Sequence, residues 1–437
     1  MRVFQIFFLV LVSFTANAQI VNIPDANFKS ALLNHDPVID SNGDGEIQLS
    51  EAISTIEINV NEKGISSMEG VQSFINLGLL SCSNNELTSI DVSQNSSLTY
   101  FICSGNLLTT IDVTQNLNLL SFLAANNNLT QIDVTQNLLL GSFGCSGNNL
   151  TSINVTQNPN LTSFDCGANL LTTIDVRQNP NLIAFLFYSN QLVNIDLSQN
   201  SEIFYMNARD NALTSIDITQ NPSLEIFTIY GNQLTSIDVS ENPILSNFDC
   251  SENFITALDV SQNFELRTLM CNNNQIFTID ITSNANLELL ECQSNNLHNL
   301  AINNGNNSNM FQMQAANNPN LLCIQVDDEV FANNQICNPP NTHGWCKDEV
   351  AAYSQVCILG LDDSFIEEVV LFPNPSSDML EISGVEVIQS VHFYTVSGTL
   401  VQQCYASVCD VSALSNGIYL VQIISETGVS TKRFIKK

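Results

Sequence analysis

Positive charge is scarce in this chain. Its 437 residues carry 11 lysines and arginines against 43 aspartates and glutamates, a formal net charge of −32. Between residues 77 and 326 the only bases are Arg177, Arg209 and Arg267. So thin a supply cannot neutralise a run of phosphates, which excludes nucleic acid as a bulk partner. An anionic membrane surface is disfavoured on the same ground. Histidine is scarce too: His35, His298, His343 and His392 lie far apart, without zinc-ligand spacing. No nucleophile elbow, phosphate-binding glycine loop or paired-acid motif is present, so no enzyme is expected. Beyond the first residues no apolar run reaches the roughly 20 needed to cross a bilayer, so no membrane span is expected. The length is too great for one compact core and implies about two or three domains, or an extended repeat architecture.

Residues 1–18 read as a secretory signal. Arg2 supplies the positive end, residues 3–12 the apolar stretch, and Ala16, Asn17 and Ala18 the small-residue cleavage site. The mature chain is expected to begin near Gln19 and to lie outside the cytoplasm. The 13 cysteines then divide into two groups. Cys82, Cys103, Cys145, Cys166, Cys250, Cys271 and Cys292 recur at one register, where other turns carry Ala124, Phe187, Ala208 and Ile229. A position accepting Cys, Ala, Phe and Ile selects an apolar filler, so buried free thiols are expected there. The other six follow that array, Cys323, Cys337, Cys346 and Cys357 and then Cys404 and Cys409; the first four are the disulfide candidates of an exported chain. Their connectivity is not legible.

The dominant feature is a period of 21 residues. Asp recurs at 91, 112, 133, 175, 196, 217, 238, 259 and 280, with Asn154 in the one gap. Asn recurs without exception at 85, 106, 127, 148, 169, 190, 211, 232, 253, 274 and 295. Such regularity denotes stacked turns of a solenoid. One turn counted from Leu98 reads Leu98, Phe101, Cys103, Asn106, Leu108, Ile111, Asp112, Val113 and Asn116. That is the pattern L-x-x-L-x-L-x-x-N-x-L with a tail I-D-V-[ST]-Q-N. The chain therefore resembles the leucine-rich-repeat family over about eleven repeats, residues 77–326, with a small insertion near residues 305–310. Six apolar positions per turn supply on the order of 10–15 kcal/mol when buried. Ordering the backbone of a turn costs roughly 20–40 kcal/mol. A single turn cannot fold alone; stacking is what closes the gap.

The Asn column is expected to turn its amides inward, onto backbone groups where the chain leaves each strand. The Asp column is harder. Carboxylates ~4.8 Å apart repel by about 1 kcal/mol per neighbouring pair even in water. Either a ladder of calcium ions or backbone N–H donors from the following [ST]-Q could offset this. Asn154 keeps the acceptor oxygen without the charge, which favours capping.

The third, fifth and seventh positions of each turn should alternate outward. The resemblance implies that this face is concave and is where ligands bind. Most outward residues are small or polar, among them Ser81, Ser83, Ser104, Ser121, Ser142, Gly144, Ser146 and Ser163. Midway the character changes. Tyr188, Tyr205, Arg209 and Tyr230 appear beside Leu186, Asn207 and Ile226, with Asp165, Asp249 and Glu291 further out. Tyrosine and arginine are enriched at interface hot spots. The candidate partner site is therefore Tyr188, Tyr205, Asn207, Arg209, Ile226 and Tyr230. Scattered exposed aromatics on a plain sheet are the alternative.

Ahead of the repeats, residues 40–51 read DSNGDGEIQLSE. This matches an EF-hand calcium loop: Asp40, Asn42 and Asp44 as the first ligands, Gly45 at the turn, the Glu46 carbonyl, Gln48 through water, and Glu51 as the bidentate last ligand. Residues 25–34 would be the entering helix and residues 52–58 the exit. One calcium ion stabilising the cap is expected; a capping turn of similar sequence is the alternative. "IPDANFKSALL" and "GVQSFINL" resemble the N-terminal cap of secreted bacterial repeat proteins. At the other end "VVLFPNPSSDMLEIS", "VHFYTVSGTLV", "LSNGIYLVQI" and the basic "STKRFIKK" resemble the type IX secretion sorting domain. That resemblance implies recognition by the outer-membrane secretion machinery, then cleavage and surface attachment or release.

The expected fold is α/β to mainly β: a leucine-rich-repeat solenoid with caps, followed by a small β-sandwich. Its parts are a signal at 1–18, an N-terminal cap at 19–76, repeats at 77–326, a Cys-rich cap and linker at 327–361 and the sorting domain at 362–437. The expected function is a secreted or cell-surface protein engaging an extracellular protein or glycan. A calcium-stabilised structural spacer is the alternative.

Overall fold

A computed structural model describes residues 19–338, 343–357, 369–384, 387–395, 399–425 and 428–437. The signal at 1–18 and the first residues of the sorting segment, 362–368, lie outside the described residues, as do 358–361 of the linker. The chain forms two compact units, residues 1–355 and 356–437. Among the described residues no helix is long and apolar enough to cross a membrane.

The first unit is a parallel β-solenoid of about 13 turns. Each turn contributes a short strand, of three residues in most, such as Tyr100–Ile102, Ser121–Leu123 or Tyr205–Asn207. These strands pair in strict register, so that Phe101, Phe122, Phe143, Phe164 and Phe185 superpose. Their rings stack with centroids 5.5–5.8 Å apart. A 21-residue repeat places identical side chains one strand spacing apart, and offset stacking is the packing that aromatic rings favour at that distance. Beside them run the seven repeat-lattice cysteines, all free and buried. Burial pushes the Cys82 thiol up to about 12 and raises the others as well.

The ladder reaches beyond the repeats at both ends. Glu57–Asn59 pairs with the first repeat strand, and His343–Lys347 with Gln312–Ala315. The cap segments thus complete the sheet edges that a solenoid must cover. A second parallel sheet, Thr278–Asp280, Asn299–Ala301, Cys323–Gln325 and Ala352–Ser354, forms only in the last turns, where the tails come close enough to pair. The insertion is a short 3-10 helix, Asn307–Asn309, anchored by Asp327, whose carboxylate accepts from the Gly305 and Asn307 N–H groups.

Two asparagine columns bind the turns together. Asn106 donates from Nδ2 to the carbonyls of Cys82 and Cys103, each at 3.0 Å, and accepts from Leu87 N–H at 3.1 Å. The second column, represented by Asn137, donates to Val113 and Asn116 carbonyls at 3.0 and 2.9 Å. Its Oδ1 meets no donor, so it works through its N–H groups alone.

The second unit consists of two antiparallel sheets. One holds Val370–Phe372, Met379–Ser383 and Val408–Asp410; the other runs in the order Leu400–Cys404, Ile388–Thr395, Gly417–Ser425, Gly428–Lys436. Both supply a common buried cluster, including Leu380, Ile382, Phe393, Val421 and Phe434.

Candidate functional site

In most strands of the main sheet the middle residue is buried and its neighbours are more exposed, as in Tyr205–Asn207, where only Met206 is fully covered. Tyr205 lies in register with Ala184 on one side and Ile226 on the other. Asn207 pairs with Leu186 and Thr228 in the same way. Its side-chain oxygen accepts from Arg209 N–H at 3.3 Å, which shapes the turn out of the strand.

Tyr188, Arg209 and Tyr230 occupy one register of three successive turns, and the structure brings them together. The Arg209 guanidinium carbon lies 4.9 Å from the Tyr188 ring centre and 5.6 Å from that of Tyr230. Arg209 Nη1 also donates to the Tyr230 hydroxyl, and stands 3.9 Å from an Asp210 oxygen. Tyr188 leans back over the preceding turn, where Gly167 makes space for it. A Cβ added at Gly167 would lie 2.3–2.5 Å from three Tyr188 ring atoms. On that preceding side the Ser146 hydroxyl donates to Asp165 at 2.8 Å. Burial, with the Asp165 charge beside it, holds the Tyr188 phenol above its ordinary value. Gly167 was the participant that sequence reading passed over; the only signal is a glycine one repeat before a tyrosine, in a column that reads Ser83, Ser104, Ala125 and Ser146 in the four turns before it.

The next turns of the same face are acidic. Asp249, Met270 and Glu291 are consecutive partners in register. Asp249 accepts from Ser251 N–H at 3.0 Å and from its hydroxyl at 2.6 Å. Burial, reinforced by Glu291 and Glu252, still raises the Asp249 carboxyl above the ordinary range.

The Asp column lies along the repeat tails and caps local turns. Asp112 Oδ1 accepts from Thr114 N–H at 2.9 Å and Thr114 hydroxyl at 2.7 Å. Asn154 makes the same two bonds with Thr156, at 3.0 and 2.8 Å. These bonds hold Asp112 and Asp217 below the usual carboxylate range. Arg177 takes Asp175 down to about 2.

In the loop at residues 40–51, side-chain oxygens accept from backbone N–H groups. Asp40 accepts from Gly43 and Gly45, Asn42 from Asp44, Asp44 from Glu46, and Glu51 from Ser41 and Gln48. Gly45 has φ +80°, a conformation favouring glycine. The Glu46 side chain pairs with Lys29 at 2.7 Å, leaving its carbonyl for the loop. Side-chain amides of Asn42 and Gln48 donate to Asp44. An all-oxygen donor set of this kind fits a hard cation such as calcium. Among the described residues no three His, Cys, Asp or Glu side chains stand together in metal-holding geometry. The entering helix is Ala26–Leu33, capped by Asp25. The exit differs from expectation: the helix is Leu49–Ser54, begun within the loop by the Glu51 bond to Gln48 N–H, and residues 57–59 are strand.

Of the disulfide candidates, Cys337 bonds Cys346; Cys323 and Cys357 are each disulfide-bonded as well. In the second unit Cys404 bonds Cys409.

Comparison with known proteins bears on both units. Residues 370–437 match the family model of the secretion system C-terminal sorting domain. No characterised protein matches by sequence. Among solved structures, the chain is similar to the functional domain of InlJ from Listeria monocytogenes, described as including a cysteine ladder. That likeness has TM-score 0.63 and 24% identity, and covers 96% of this chain and 98% of that one. An internalin, InlF, of the same organism gives TM-score 0.62 at 19% identity over 72% and 98% of the two chains. The leucine-rich-repeat protein LIC12759 of Leptospira interrogans gives 0.54 at 26% identity over 57% and 69%. The fold is thus that of a leucine-rich-repeat solenoid, followed over residues 370–437 by a sequence matching the secretion system C-terminal sorting domain.

Proposed function

We propose that this chain is an exported binding or adhesion protein that holds an extracellular protein or glycan on the solvent face of its main sheet. The sorting-domain match supports export by the type IX secretion machinery, to the cell surface or the medium. The similarity to internalins supports a binding role for the solenoid. The observation that carries the reading is the packing of Arg209 between Tyr188 and Tyr230. Two rings and a guanidinium ordered before any partner arrives lose little entropy on binding. Such residues dominate interface energetics. Calcium in the loop at residues 40–51, held by Asp40, Asn42, Asp44, the Glu46 carbonyl and Glu51, would stabilise the cap and take no part in recognition.

The test is capture of partners from the producing culture and its surroundings, using the secreted chain and its Tyr188→Ala/Tyr205→Ala/Arg209→Ala variant. Loss of capture with an unchanged melting temperature supports the reading. Capture of the same partners by the variant overturns it. A spacer without specific ligand would retain nothing in either form; the small Ser residues at outward positions of the early turns, such as Ser83, Ser104, Ser121 and Ser142, favour that second reading.

A further inference from the structure

The charge arrangement on the sheet face identifies the kind of partner it fits. The outward positions from Asp165 to Glu291 carry Asp165, Asp249 and Glu291 against a single base, Arg209, with Asp210 and Glu252 exposed in the turns that follow the strands. That base is already engaged by two tyrosines and by Asp210. An anionic partner would therefore meet no free cation there. The acids lack basic counterparts: the ion pairs among the described residues do not include Asp165, Asp249, Glu252 or Glu291. Their hydrogen-bond partners are neutral, Ser146 for Asp165, Ser251 for Asp249 and Gln312 for Glu291. Beside the acids lie half-buried apolar surfaces: Leu186, Tyr205, Ile226 and Met270.

We propose that the occupant of this face is a basic, extended polypeptide segment, with an apolar or aromatic residue on Tyr205, Ile226 and Tyr230 and its cations against Asp249, Glu252 and Glu291. This rests on the reading that the sheet face is the binding surface. Spacing supports it. Asp249 and Glu291 are two strand spacings apart, about 10 Å, which is the reach of about three extended residues. In the extended polyproline II conformation, with three residues per turn, lysines or arginines at positions i and i+3 share one face about 9 Å apart and would meet the two acids. The chain's large negative field would also speed the approach of such a segment and repel acidic competitors. Desolvated carboxylates without a cation are costly, and a partner's ammonium or guanidinium would relieve that cost.

The test uses the full chain and a labelled peptide of about nine residues carrying a tyrosine followed by lysines at i and i+3, a length set by the strand geometry. An isomer with glutamates in place of the lysines and a neutral hexasaccharide are the comparison probes. Two variants remove equal charge: Asp249→Asn/Glu291→Gln on the sheet face, and Asp112→Asn/Asp217→Asn on the repeat tails, where Asn154 shows that the cap survives. Melting temperatures establish that both are folded. The expected result is saturable binding of the lysine peptide alone, weakened by about tenfold in the first variant and less than about twofold in the second. Equal weakening by both variants would reveal only the general field and overturn the proposal. So would binding of the glutamate isomer or the saccharide in preference, or no binding of the lysine peptide at about 1 mM, a marginal affinity. Should Tyr188→Ala/Tyr205→Ala/Arg209→Ala abolish capture of natural partners while Asp249→Asn/Glu291→Gln leaves it intact, the face is the binding surface but the basic occupant is wrong. Capture that survives both variants removes the two readings together.

Discussion

Arg209 and Tyr188 are stacked across one turn of the solenoid, guanidinium carbon to ring centre 4.9 Å, over the bare backbone of Gly167. The stack is a consequence of a missing side chain. A Cβ at residue 167 would sit within 2.5 Å of the Tyr188 ring, closer than real contacts allow. Gly167→Ala should therefore displace Tyr188, withdraw one face from Arg209 and reduce partner capture much as Arg209→Ala does. A cation–π contact of this kind is worth about 0.5–2 kcal/mol. Arg209→Lys should not rescue, because a point charge replaces a planar group between two rings. Capture assays on the three variants decide this, and unchanged binding by Gly167→Ala would dissociate the stack from function.

The asparagine columns differ in how fully they are used, so their replacement should differ in cost. Asn127 donates to the carbonyls of Cys103, Ala124 and Ala125 and accepts from Leu108 N–H. Asn137 donates but accepts nothing. Each buried group left unpaired costs about 1–3 kcal/mol. Thermal or denaturant unfolding should rank Asn127→Ala as more damaging than Asn137→Ala. Asn154→Asp, which restores the tail consensus at an exposed cap, should be close to neutral.

Acid should erode stability through the Asp column. Asp91, Asp112, Asp175, Asp196, Asp217, Asp238 and Asp259 are all held below the ordinary carboxylate range, mainly by donors two residues ahead. A folded-state value below the unfolded one gives stability that is present above about pH 4 and lost as pH falls further. For Asp175 the loss extends to about pH 2. Asp249 has the opposite sign: its raised value means that its charge costs stability at neutral pH, and the cost fades on acidification. Asp249→Asn should accordingly raise Tm at pH 7 and give a smaller gain at pH 3. Melting curves across that range check both signs.

Calcium should raise the melting temperature of the unaltered chain relative to chelator, since a ligand bound only by the folded state stabilises it by about 2.7 kcal/mol at 100 times its Kd. Asp40→Ala/Glu51→Ala should abolish that difference. Glu51 also accepts from Ser41 and Gln48 N–H groups, so the variant will be less stable in chelator too. The informative quantity is the calcium-dependent increment, and its absence in the unaltered chain refutes calcium binding.

The seven repeat-lattice thiols should resist alkylation in the folded chain and react once it is denatured. All are buried, and burial disfavours their thiolates. Mass spectrometry after labelling with and without denaturant measures this. Native-state labelling of Cys145 or Cys250 would show that the turns open.

The sequence alone determined the period, the buried columns and the outward alternation. Stacked turns demand the same side chain at the same place, so the packing rule is printed in the repeats. The Asp column's capping role was also legible, through Asn154 keeping the acceptor oxygen and dropping the charge. Tyr188, Arg209 and Tyr230 could be placed in one exposed column for the same reason. Their contact could not, because it depends on the direction in which three long side chains lean and on the room left by Gly167. Nor could the sequence disclose the second sheet in the last turns, the early start of the helix at Leu49, or the desolvation of Asp249. Those belong to tertiary structure, where neighbours distant in the chain decide which groups lose water and which find partners.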